Sequence, residues 1–339
     1  MNKYERAIAS TVEKIRKTVP TDLVDRFEAS GGISRDLFHS FRPEKKGLTS
    51  AVDGSNAMVF DSGNFSIAAV RAGETGFEHG IRYSRTVTPL SVFMIGPDEV
   101  NPDFPLMFQE YFGMPPGTPL SNEDPSDAAS VLRDTLEYHV ALEQAQSLQK
   151  DSLLLLDGAL RVTHASHDAV LQETIRSAQR RELLIAAISK RTSATWGGGY
   201  PLLPSVAGLA NRAGIPAPWW IKVDDSTLDR HQFDQWRHGD YYIAKLHPHA
   251  RMPLKVELPE GTPDTIVGST FARLAGMADD RRIPGYPFPL LDAHRAVVID
   301  SSVLDRIRQD IIRGCTGEGM NEHAFNQIFG DYHDEFRRY

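Results

Sequence analysis

The chain has little of several things that would narrow its chemistry at once. A single cysteine, Cys315, stands in 339 residues. One thiol closes no intrachain disulfide and builds no cysteine-based zinc site. No apolar run reaches the roughly 18 residues that a membrane-spanning helix needs. The first residues, Met1-Asn2-Lys3-Tyr4-Glu5-Arg6, open a polar, helix-like stretch rather than a signal peptide. Together these absences give a cytoplasmic location as the expectation. There is no internal repeat, no low-complexity tract and no G-x-x-x-x-G-K-[ST] phosphate loop. An excess of positive charge is missing too, since the net charge is -8. A stand-alone DNA-binding domain is usually basic, so any contact with nucleic acid must depend on local patches. The 41% apolar and 24% charged content is ordinary for a globular chain. The length allows one large domain or a core with an insertion.

Against these absences, two apolar segments run into an aspartate followed by glycine. They are Ala51-Val52-Asp53-Gly54-Ser55 and Leu153-Leu154-Leu155-Leu156-Asp157-Gly158-Ala159-Leu160. A carboxylate beside a buried strand is costly without a partner. Two of them brought together repel and raise one pKa unless a cation stands between them. Hard divalent cations take such oxygen ligands. The pattern therefore points to a metal site at neighbouring strand ends. Asp-Gly is also a hairpin signal, but the segment after Asp157 reads as helical, with no returning strand.

Coarse patterning gives the rest of the order. Residues 1–18 carry Ile8, Val12, Ile15 and Val19 at helical spacing, and a Gly-, Ser- and charge-rich linker runs to Gly47. Three strands joined by short turns are expected over 51–95, as an antiparallel meander. Residues 97–125 look irregular. A helix is expected over 126–150, a strand buried on both faces at 153–156, and a second helix over 165–188. Prolines at 201–204 and 216–218 break the chain. Strands follow at 219–223, 241–246 and 254–258, then a helix over 263–277, a strand at 296–299 and C-terminal helices.

The two aspartate segments, with others in order, resemble the NurA nuclease family. The others are Ile188-Ser189-Lys190-Arg191-Thr192, Tyr241-Tyr242-Ile243-Ala244-Lys245-Leu246-His247-Pro248, Lys255-Val256-Glu257-Leu258-Pro259, and Gly285-Tyr286-Pro287-Phe288-Pro289-Leu290 followed by Asp292-Ala293-His294-Arg295. The ordered set spans about residues 50 to 300. The resemblance implies an α/β fold with a ribonuclease H-like core, a mixed sheet flanked by helices, plus an N-terminal helix and insertions. It divides the chain into an N-terminal helical and linker segment (1–48), a nuclease domain (49–315) and a helical tail (316–339). The element order agrees, and in such a fold Asp53 and Asp157 become neighbours. The implied activity is metal-dependent DNA cleavage, as a 5′–3′ exonuclease and single-strand endonuclease in DNA end resection. The implied partners are DNA, a second copy of the chain, and a HerA-type hexameric ATPase, with no membrane.

Site residues follow from the residues and the resemblance together. Asp53 and Asp157 are the first metal ligands. The family's catalytic Glu lies on the helix before the second aspartate, which offers Glu137, preferred for its Arg-x-x-x-Glu context, or Glu143. A metal-site His or Asp at the family's relative spacing offers His294, with Asp292 nearby. An imidazole ligand suits Mn²⁺ better than Mg²⁺. Lys190, read as ending the second helix, would neutralise charge on the scissile phosphate. Tyr286 would stack on a base or bond a phosphate. Lys222 and Lys245 could extend a basic channel, and Trp219, Trp220, Tyr241 and Tyr242 either stack on single strands or fill the core. Pro248 makes His247 and His249 a poor chelating pair. Two other classes compete. One is a catalytically inactive module that binds DNA or the ATPase, which retention of Asp53, Asp157 and His294 opposes. The other is an actin-like phosphotransferase, whose second glycine-rich phosphate loop does not appear.

Overall fold

The computed structural model describes residues 2–96, 103–121, 123–190, 192–229 and 234–329. Arg191, residues 97–102 and the last ten residues lie outside them. Helix α1 (Lys3–Thr18) starts from an Asn2–Glu5 capping box. It buries none of its residues, and the Ile8, Val12 and Ile15 stripe is exposed. The expected linker to Gly47 instead holds α2 (Leu23–Ala29) and the short strand β1 (His39–Ser40). Leu23 and Phe27, one helical turn apart, carry α2 into a core, a signal hidden by the polar residues around them.

Residues 48–95 form four strands rather than three: β2 (Leu48–Asp61), β3 (Ser66–Glu78), β4 (Ile81–Val87) and β5 (Ser91–Ile95). β2, β3 and β4 make the expected antiparallel meander, while β5 returns to pair with the first half of β3. The stretch read as irregular contains α3 (Asp103–Phe112), which buries Phe104, Met107 and Phe108. Helix α4 (Pro125–Ser147) is capped by Asp124, whose side chain accepts from the Ser126 amide at 2.8 Å. Strand β6 (Leu153–Asp157) lies parallel to β2, with Val52 paired to Leu156.

The second helix is shorter than its expectation. α5 (Asp168–Arg180) stops, and β7 (Leu184–Ser189) runs parallel to β6. An apolar run of this length buried on both faces cannot be told from a buried helix by periodicity. Lys190 therefore follows a strand, not a helix, and the helix-dipole reason for a cation there does not apply. A small hairpin, β8 (Thr195–Trp196) with β9 (Tyr200–Pro201), precedes α6 (Leu202–Arg212). Pro201 and Pro204 stand at its start, where the missing amides cost little. β10 (Trp219–Val223), β11 (Gly239–Lys245) and β12 (Leu254–Pro259) follow as expected, then α7 (Asp264–Gly276). The strand expected at 296–299 is replaced by the end of α8 (Phe288–Val297), where Ala296 and Val297 are buried on a helical face. α9 (Ser301–Gly317) and α10 (Glu322–Phe329) close the described chain.

Ten strands form one mixed sheet in the order β1-β10-β11-β12-β7-β6-β2-β3-β4, with β5 also on β3. The leucines of β6 show why it is central. Leu154 and Leu156 join the core of α4 and α5, with Leu132, Leu136 and Leu171. Leu153 and Leu155 join the opposite core of α7 and α8, with Phe271, Leu274 and Leu290. Each leucine buried this way contributes about 1.5–3 kcal/mol. A third core packs α2 and α6 on β10 and β11. Trp219 and Tyr241 lie in that third core, and Trp220 and Tyr242 in the α7–α8 core. All four are structural. No helix among the described residues is long and apolar enough to cross a membrane.

Candidate active site

Parallel pairing of β2 and β6 brings their C-terminal ends together, and the residue after each paired apolar run is an aspartate. Asp53 is only 4% exposed. Its Oδ1 accepts the Gly54 amide at 2.8 Å, and its Oδ2 lies 2.9 Å from Nδ1 of His294. Parallel β7 delivers Lys190 to the same edge. Its ammonium donates to Asp157 Oδ2 and stands 3.6 Å from Asp53 Oδ2.

Helix α4 crosses this edge and places Glu137 there. A side chain at position 54 would put its Cβ 3.0 Å from Glu137 Oε2 and 2.9 Å from Arg133 Cγ. Gly54 is thus the residue that lets the helix approach the strand. Glu143, the alternative carboxylate, is turned out, with an exposed side chain 3.6 Å from His139. α8 contributes His294, whereas Asp292 faces away and bonds Arg82 at 2.9 Å. Tyr286 is buried, and its hydroxyl finds no hydrogen-bond partner among the described residues. The other sequence candidates stand apart. Lys222 pairs with Asp240 at 2.8 Å, and neither it nor Lys245 lines the cleft. The amide of His249 donates to its neighbour's ring, His247 Nδ1, at 3.1 Å.

The cleft has a volume of about 390 Å³. Sequence reasoning missed three of its charged residues. Arg133 and Asp134 form an ion pair on α4 at 2.5 Å, and Arg161 follows the Asp157 turn. Arg133 and Asp134 entered the sequence reading only as context for Glu137. Arg161 carried no local signal, because only the turn at Gly158, with φ +116°, aims the chain back.

The electrostatics show a surplus of negative charge. Burial, and then Asp53, push the Asp157 carboxyl up to about 6 despite Lys190. Burial, then Asp134 and Asp53, hold Glu137 well above the usual carboxylate range. Burial also raises the Tyr286 hydroxyl, with Asp157 and Asp53 adding to it. For Lys190 burial acts downward, but the two aspartates outweigh it and the net shift is up. Among the described residues no three His, Cys, Asp or Glu side chains stand together as a ready metal cage. The Lys190 ammonium occupies that role, a cation between two carboxylates. Three carboxylates and one imidazole line the cleft without closing into a cage, and donors of these types suit a hard divalent ion, Mn²⁺ included.

Residues 47–196 match the family model of the NurA domain. Over this stretch the chain is similar to the NurA domain. The stretch carries Asp53, Glu137, Asp157 and Lys190, while Tyr286 and His294 come from beyond it. No curated protein matches the chain. Among solved structures, the NurA nuclease from Sulfolobus solfataricus is similar at 15% identity and a TM-score of 0.58, covering 94% of this chain and 98% of that one. A second NurA crystal structure is 10% identical with a TM-score of 0.56, covering 94% and 99%. A third, of NurA bound to dAMP and manganese, is 8% identical with a TM-score of 0.53, covering 96% and 98%. At these identities the likeness is one of fold, and it extends beyond residues 47–196 over almost the whole chain.

Proposed function

We propose that this protein is a divalent-metal-dependent DNA nuclease that hydrolyses phosphodiester bonds in the cleft at the β2 and β6 ends. The observation that carries the reading is the Asp53–Lys190–Asp157 arrangement, where one ammonium spans a buried and a half-buried carboxylate and leaves Asp157 hard to ionise. Such a site gains from a more highly charged cation. Asp53, Glu137, Asp157 and His294 are the residues that would hold it. When bound, divalent ions at such ligands supply an activated water and stabilise the leaving oxygen. Lys190 is the residue to neutralise charge developing on the phosphate once it releases the aspartates. The Tyr286 hydroxyl is buried near the two aspartates and outside the cleft lining, so it would reach a phosphate only through a water. Manganese is the favoured ion, supported by the imidazole in the set and by the manganese in one NurA relative.

The finer reading is 5′–3′ exonuclease and single-strand endonuclease activity in DNA end resection, by a homodimer working with a HerA-type ATPase. The nuclease domain would span 49–315, between a 1–48 segment and a 316–339 tail. The exposed stripe on α1 supports a second copy, and the lack of a Walker-type phosphate loop supports a separate motor. One observation favours the inactive-module reading: Lys190 already compensates both aspartates in part. End-labelled single- and double-stranded DNA incubated with Mn²⁺, Mg²⁺ or EDTA separates the two. Metal-dependent cleavage lost in EDTA is expected. DNA binding with no cleavage under any metal would leave the inactive module.

A further inference from the structure

The motif Lys255-Val256-Glu257 on β12 takes no part in the cleft lining, yet it holds a buried ion pair. Lys255 is 7% exposed and Glu257 1%. Such a pair adds little to stability over well-packed apolar residues. Its bonds show what else it does. Glu257 Oε2 accepts the amide of Leu160 at 2.5 Å, across 97 positions of sequence. Leu160 is fully buried and stands three residues after Asp157, on the turn that leaves β6. A buried amide without an acceptor is costly. The carbonyl of Leu160 accepts the His238 amide at 2.8 Å, so both of its backbone groups are held. Nearer Asp157, Ser189 Oγ donates to the Gly158 carbonyl at 2.6 Å, and the Gly158 amide donates to the Ile188 carbonyl at 3.0 Å. Gly239 makes the approach of Glu257 to the turn possible. A Cβ there would lie 2.9 Å from Leu160 Cβ and 3.1 Å from Glu257 Cβ. Lys255 supplies the countercharge, with its ammonium 4.9 Å from the centre of the Tyr241 ring.

We propose that Glu257 is a positioning residue for Asp157. It fixes the far end of the turn whose near end aims the aspartate into the cleft. The inference rests on the nuclease reading, in which Asp157 holds a divalent ion. A carboxylate must be held to within about 0.5 Å to serve such an ion well. Groups that orient a metal ligand are typically worth roughly 10–100-fold in metal affinity or activity. The role of Glu257 is that of an acceptor at a fixed place. Its charge is matched by Lys255 and is not what the turn needs.

Removing Glu257 alone would strand a buried ammonium, so the test neutralises both partners in the full chain. Lys255→Met with Glu257→Gln keeps an oxygen for the Leu160 amide. Lys255→Met with Glu257→Met has the same charge and similar length but no acceptor. Mn²⁺ affinity of the metal-free proteins would be measured by calorimetry, and kcat and KM on end-labelled DNA. The Gln pair should stay within threefold of the native chain in Mn²⁺ affinity and kcat. The Met pair should bind Mn²⁺ at least fivefold more weakly and lose tenfold or more in kcat, with KM within twofold. Equal Mn²⁺ affinity in the two pairs, high or low, overturns the role. Gly239→Ala reaches the same contact without touching either charge, and serves if the Met pair does not fold. It should weaken Mn²⁺ binding threefold or more with an unchanged circular dichroism spectrum, and unchanged affinity overturns the role. The expected Mn²⁺ affinities in a chain whose native form cuts no DNA would overturn the nuclease reading alone. Cleavage by the native chain with equal Mn²⁺ affinity in the two pairs would overturn the positioning role alone.

Discussion

The carboxylate cleft and a second cavity of about 270 Å³ beside it share Gly158, Ala159, Arg161 and Lys190, yet they satisfy their acids to different degrees. In the cavity each acid has its own donors: Lys255 and a backbone amide for Glu257, two backbone amides for Asp229. In the cleft Asp53 has the Gly54 amide and His294, but it divides one lysine with Asp157, and Glu137 sits beside them with its carboxyl pushed up. Structural ion pairs are built to be complete, whereas a site that awaits a ligand is left short of charge. The difference teaches which of the two neighbours should respond to a metal.

The strongest way to break this comparison is to neutralise the shared lysine's partners. Asp53→Asn and Asp157→Asn keep shape and remove charge. Each should lower DNA cleavage by about a thousandfold or more, near 4 kcal/mol of barrier, with an unchanged circular dichroism spectrum. Near-normal cleavage by either variant would remove that aspartate from the site. Lys190→Met should act in two directions. Cleavage should fall by about a hundredfold for loss of a positioned cation, while Mn²⁺ binding should tighten because a competing cation is gone. Weaker Mn²⁺ binding would mean that the lysine supports the metal instead of standing in for it.

Gly54→Ala sharpens the geometry. The added carbon meets Arg133 Cγ and Glu137 Oε2 at 2.9 and 3.0 Å, so these side chains must give way. A loss of about tenfold or more in cleavage is expected, with about 1–3 kcal/mol of stability, as for other overpacked sites. Denaturant melts and initial rates would measure both. A full-rate Gly54→Ala enzyme would show that Glu137 need not sit so close.

The pH response is the smallest effect. The folded value of Asp157, about 6, is above its ordinary range. Its contribution to stability is therefore full below about pH 4 and lost as pH rises through 6, an amount of roughly 2–3 kcal/mol at most. The metal-free protein should lose more stability between pH 5 and 7.5 than Asp157→Asn does. Mn²⁺ affinity should fall toward acid below pH 6, as protons compete for the same oxygens. Parallel denaturation curves for the two proteins would exclude Asp157 as the titrating group.

Much of this cleft was legible in the sequence because Asp53 and Asp157 each end an apolar run, and such an end is a local signal. Glu137 was preferred on the Arg133 context, and the helix register places it beside Gly54. Legibility failed where one pattern fits two structures. Residues 183–188 are apolar throughout, so β7 reads as the end of a helix, and Lys190 takes the wrong support. Residues 296–299 erred the other way, since short β-branched runs pack on helices as well as in sheets. The second cavity had no local signature at all. Arg161, Arg237 and Lys255 meet only through the pairing of separate strands and turns.

The central claim is that the cleft is short of positive charge and takes a divalent ion through both aspartates. Calorimetric titration of Mn²⁺ into the metal-free protein and into Asp157→Asn at pH 7.5 tests it most directly. The account predicts saturable binding by the native chain, with proton release, and binding at least tenfold weaker in the variant. Equal binding by the two proteins, or none by either, would contradict it.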